Sequence, residues 1–110
     1  MTTIVIRKTK NGSYQGFTCM GHAGYAKHYE KDVLCAAIST LTISTVNALE
    51  KLGNEKLSYV TNEETGFLKC DIKSNLQEKS IFLMDALVFS LEELSKEYGK
   101  KYLQIQFEEV

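Results

Sequence analysis

Apolar and polar residues alternate from Thr3 to Lys8, with Ile4 and Ile6 on one face and Val5 on the other. That period predicts a strand. Asn11-Gly12 follows and signals a hairpin, because both residue types tolerate positive φ. Tyr14 to Met20 reads as the return strand, with Phe17 and Cys19 on one side. Residues 21–31 are polar, carry His22, Tyr25, His28 and Tyr29, and read as a loop. The period then lengthens. Leu34, Ile38, Leu41, Thr45, Ala48 or Leu49, and Leu52 fall at helical spacing. Asp32 is suited to cap the start of this helix and Gly53 to end it. Leu57 to Thr61 reads as a short strand, 62–66 as a turn, and Phe67 to Lys73 as a strand with Leu68, Cys70 and Ile72 on one face. Asn75-Leu76-Gln77-Glu78 has the capping-box pattern and predicts a helix reaching Tyr98, stopped by Gly99. Tyr102 to Phe107 reads as a last strand with Leu103, Ile105 and Phe107 aligned.

The order ββαββαβ predicts an α+β fold, with one largely antiparallel sheet packed against two helices. The 110 residues read as a single domain, 1–110, without repeats or linkers. A chain of that length buries roughly two-thirds of its unfolded surface, enough for one core. The second helix exceeds that need. Its middle, Ile81 to Leu91, is apolar almost all round, where a surface helix of a monomer shows a polar face. A homodimer through this helix is expected, since a twofold interface uses one patch twice.

Composition narrows the function classes. The net charge is −1 and no basic run occurs, so no direct nucleic acid binding is expected. The start, Met1 to Arg7, is too short and polar for a signal peptide. No apolar run reads as a membrane span, and no membrane partner is expected. Three cysteines without a secretory signal suggest the reducing cytoplasm rather than a disulfide framework. Cys19 and Cys70 sit on apolar strand faces and read as small buried hydrophobes.

Cys35 is different. With Asp32 as cap it is the third residue of the first helix. A helix N-terminus presents free N–H groups and a partial positive charge, both of which favour thiolate over thiol. His22 lies thirteen residues upstream in a glycine-flanked loop and is a candidate base. First-turn N–H groups, including that of Cys35, are candidate oxyanion donors. Asp32 is able to cap the helix, to orient His22, or to do neither. Ser39, one turn on, either supports the site or bonds back to a carbonyl. A core cysteine is the bland alternative for Cys35, and His28 reads as a solvated loop histidine. A rival is zinc held by Cys19, His22, His28 and Cys35, although their spacing matches no common finger. The leading reading needs no metal or cofactor.

Gly-His-Ala-Gly-Tyr-Ala at 21–26, followed by Asp-Val-Leu-Cys-Ala-Ala-Ile-Ser at 32–39, resembles the ribosomal-processing cysteine protease family (Prp). The order of elements matches that family over essentially the whole chain. The resemblance implies a homodimeric cysteine endopeptidase that removes the N-terminal extension of ribosomal protein L27, cutting after an aromatic residue. It implies His22 and Cys35 as the catalytic pair, with Gly21, Asp32 and Ser39 at supporting motif positions. The sequence departs from the pattern once. Glu30 stands where the family usually has glycine, and the histidine–cysteine spacing is thirteen rather than twelve, with the extra residue within 27–31. A non-catalytic ribosome-assembly or ribosome-binding module is the alternative function.

Overall fold

The computed structural model describes residues 1–24 and 32–110. The elements are β1 (Thr2–Lys8), β2 (Tyr14–Met20), α1 (Val33–Lys51), β3 (Leu57–Asn62), β4 (Phe67–Ile72), α2 (Glu78–Tyr98) and β5 (Leu103–Glu109). They form one five-stranded sheet in the order β3-β4-β2-β1-β5. β1 pairs antiparallel with β2 and parallel with β5, and β4 pairs antiparallel with β2 and β3. The predicted α+β class and element order both hold.

The period-two pattern becomes one continuous apolar face. Ile4 and Ile6 stand opposite Cys19 and Phe17 of β2, and beside Ile105 and Phe107 of β5. Cys19 and Phe17 in turn stand opposite Leu68 and Cys70 of β4. This face, apart from the exposed Phe107, forms the core with Leu34, Ile38, Val46 and Leu49 of α1 and Met84, Leu87, Val88 and Leu91 of α2. The two helices pack on each other, and α2 also packs against β5. Tyr14 adds a tether from β2 to α2, its hydroxyl donating to Asp85. On the opposite face Arg7 bonds to Thr18, to the Cys70 carbonyl at 3.1 Å and to Asp71 at 2.9 Å. Gly16 makes room for that guanidinium, since a Cβ there would lie 2.8 Å from it and 2.3 Å from the Cys70 oxygen.

Several local expectations change. In the turn of the first hairpin, residues 9–13, only Gly12 takes positive φ, and the connection closes through Thr9 N–H to Ser13 O and Gly12 N–H to Thr9 O. Leu52 is not on the buried stripe but 75% exposed, and Thr42 and Val46 join the expected Leu34, Ile38, Thr45 and Leu49 on it. After α1 the left-handed residue is Asn54, at φ 53°, not Gly53. Gly53 serves close packing, because a Cβ there would meet Leu49 O at 2.7 Å and Ser80 Oγ at 2.8 Å. The capping box at Asn75 does not form. The cap position of α2 is Gln77, without a side-chain cap bond. The Glu55 carboxylate accepts the Gln77 N–H at 3.0 Å, and the Gln77 side-chain amide donates to Gly53 O.

The expectation that no segment has the length of a membrane span also needs correction. α1 is long and apolar enough to cross a membrane by length and composition. Here its apolar stripe is spent on the sheet and α2, as in the core helix of a layered domain. The helices of such a fold share that apolar character because they bury one face fully.

Candidate active site

The site forms where β2 ends and α1 begins. β2 delivers Gly21 and His22, and the chain returns at Asp32 to start α1. Asp32 is the N-cap, and its Oδ1 accepts the Cys35 N–H at 3.0 Å. Cys35 therefore takes the predicted third position, half-buried, with Asp32 settled in at least the capping role. This narrows one predicted function of the backbone. The Cys35 N–H is already bonded to Asp32 Oδ1, and the Ala36 N–H to Asp32 O, so neither is open to an oxyanion while the cap stands.

The sulfur has a donor of its own. The Ala23 N–H points at Cys35 Sγ, 3.1 Å away. Ala23 is buried, 1% exposed, which fixes this donor. Sequence patterns carry no trace of it, since the donor is backbone and any residue type supplies one.

His22 is exposed, and its Nε2 lies 3.0 Å from the Glu64 carbonyl in the β3–β4 turn. A carbonyl oxygen only accepts, so Nε2 carries the proton and Nδ1 is the acceptor nitrogen of the neutral ring. His22 and Cys35 line one groove of about 340 Å³, with Cys19, Ile38 and Ser39 among its other walls. Cys19 is buried, and burial, with the nearby Cys35 second, pushes its thiol up to about 11. Cys70 lies in the core, where burial likewise pushes its thiol up to about 11.

The supporting positions have separate places. Gly21 takes φ +85°, and a Cβ there would lie 2.6 Å from Met1 O. Its carbonyl accepts the Thr2 hydroxyl. Ser39 is exposed on the groove wall one turn after Cys35. The rival zinc set includes His28, which lies outside the described residues, as do Glu30 and the extra residue of 27–31. The glycines and the charged run of residues 23–31 also predict a less ordered loop, and most of that stretch lies outside the described residues too. At its start, however, Ala23 is packed into the core. Among the described residues no three His, Cys, Asp or Glu side chains stand together as metal ligands.

A thiol at a helix start, an imidazole in the same groove and a backbone N–H aimed at the sulfur are parts of a cysteine-dependent hydrolase. Comparison narrows the class. Residues 1–104 match the family model described as cysteine protease Prp. The chain belongs to the cysteine protease Prp family and is a cysteine protease. Its fold is that of an essential ribosomal processing protease Prp from S. aureus in complex with a covalently linked product peptide. That likeness has a TM-score of 0.89 at 20% identity and covers 98% of this chain and 100% of the other. The same S. aureus protease with a substrate peptide gives a TM-score of 0.85 at 19% identity, over 98% of this chain and 100% of that one. SMU.848 from Streptococcus mutans is 27% identical with a TM-score of 0.85, over 100% of this chain and 96% of its own. No curated protein matches the sequence.

Proposed function

We propose that Cys35 is the nucleophile and His22 its base, and that the substrate is the N-terminal extension of ribosomal protein L27, removed in the cytoplasm by a homodimeric enzyme. The observation that carries the catalytic assignment is the Ala23 N–H directed at Cys35 Sγ in a groove that His22 shares. Family membership and the S. aureus ribosomal processing protease of the same fold support the substrate. The exposed apolar residues of α2 support the dimer.

In this mechanism the Cys35 thiol gives its proton to Nδ1 of His22. The sulfur attacks the scissile carbonyl carbon, and the C–N bond breaks as the imidazolium protonates the leaving amine. Water, deprotonated by the same histidine, then hydrolyses the thioester and frees Cys35. Incubation with an L27 precursor tests the proposal. The wild type shortens the precursor, whereas Cys35→Ala and His22→Ala leave it intact, and Cys35→Ser is nearly as inactive because a hydroxyl is harder to deprotonate. Cleavage by Cys35→Ala overturns the nucleophile. A precursor left intact by the wild type overturns the substrate.

A further inference from the structure

The turn between β3 and β4 is built against the histidine. Its Gly66 takes φ +66°, and a Cβ there would lie 2.5 Å from Gly21 O and 3.2 Å from the His22 ring carbon Cε1. Only a glycine lets the turn come so near. Within the turn, Asn62 Oδ1 accepts the Glu64 N–H at 3.1 Å, the local bond of an Asx turn. The Gly66 N–H closes on Glu63 O at 3.3 Å. The peptide unit on the other side of Glu64 is thereby aimed, and its carbonyl meets His22 Nε2 at 3.0 Å. The turn is tied to β4, whose Leu68 and Cys70 belong to the core.

We infer that the Asn62–Gly66 turn is the orienting element of the catalytic histidine, with Asn62 as a positioning residue acting through the Glu64 carbonyl. This rests on the reading of His22 as the base. A base in a nucleophilic pair needs a third group that fixes its tautomer and ring plane. Here a backbone carbonyl does that work. It holds the proton on Nε2, leaves Nδ1 to take the thiol proton, and continues to accept from Nε2–H once the ring is charged. The acceptor is 42 residues from the histidine, on the opposite hairpin.

Two measurements test the inference. The first is nitrogen-15 NMR of the His22 ring in the wild-type protein at a pH where it is neutral. The protonated nitrogen is expected to be Nε2, and a ring protonated on Nδ1 overturns the inference without any variant. The second is kinetics on a peptide substrate with Asn62→Ala and Asn62→Asp. Asn62→Ala is expected to lower kcat about tenfold with KM within about twofold, and to mix the ring tautomers. Asn62→Asp keeps an oxygen for the Glu64 N–H and is expected to recover most of kcat. An Asn62→Ala enzyme with wild-type kcat and tautomer overturns the positioning role. An active His22→Ala enzyme instead overturns the reading of His22 as base, so the two failures are distinct.

Discussion

At the scale of the residue, three cysteines of one chemistry differ by environment. Burial pushes the Cys19 and Cys70 thiols from the ordinary 9.0 up to about 11, while Cys35 is half-buried on the groove wall. Iodoacetamide at neutral pH is expected to alkylate Cys35 first, a difference that peptide mapping by mass spectrometry reads directly. Faster alkylation of Cys19 or Cys70 would remove Cys35 from its assigned role. The same raised values have a stability consequence. A thiol that holds its proton more tightly when folded contributes fully below about pH 9, and that contribution falls as pH rises toward 11. The urea midpoint of the wild type is therefore expected to fall more steeply across this window than that of the Cys19→Ala, Cys70→Ala double variant. The exceptional position of Cys35 was legible in the chain, because Asp32 three residues earlier marks a helix start. The Ala23 N–H and the Glu64 carbonyl were not legible, because backbone groups carry no residue signature and the second comes from far along the sequence.

At the scale of the element, helix ends show where local signals suffice. Asp32 and Gly99 bound their helices as their residue types dictate. The start of α2 fails the same test. Asn75 and Glu78 satisfy a capping pattern, yet the N–H of Gln77 is taken by Glu55, on the connection between α1 and β3. Tertiary packing overrides the local motif, because Gly53 brings the end of α1 against Ser80 in the first turn of α2. Glu55 is 7% exposed, so its carboxylate depends on that bond. Glu55→Ala is expected to cost about 1–2 kcal/mol, the usual loss of a helix cap or of a bond to a charged acceptor. Asn75→Ala and Glu78→Ala, both at exposed positions, are expected to stay within about 0.5 kcal/mol. Urea unfolding of the three variants separates the alternatives. Equal losses at Asn75 and Glu55 would restore the capping box.

At the scale of the whole molecule, the strand sequence was legible but the sheet order was not. Alternation places each residue on a face, whereas the β2–β4 and β1–β5 pairings join strands far apart in the chain. The excess apolar character of α2 was legible too, and the fold absorbs only part of it. Met84, Leu87, Val88 and Leu91 are buried, while Phe82 remains 75% exposed, Phe89 66% and Ile81 42%. Of the exposed phenylalanines, Phe82, Phe89 and Phe107, two lie on this one helix. Phe82 and Phe89 are seven residues apart, with Ala86 between them, so they share one stripe two turns long. A twofold axis across such a stripe buries both phenylalanines of each copy with no second surface required. Burying one phenylalanine side chain is worth about 1.5–3 kcal/mol. Four together provide a substantial share of what micromolar association requires, about 8 kcal/mol. Sedimentation at micromolar concentration is therefore expected to show a dimer for the wild type and a monomer for the Phe82→Glu, Phe89→Glu double variant. Both substitutions are on the exposed stripe, so the circular dichroism of the variant should match the wild type. A wild-type monomer at that concentration overturns the dimer, and a double variant that still dimerises moves the interface to another face.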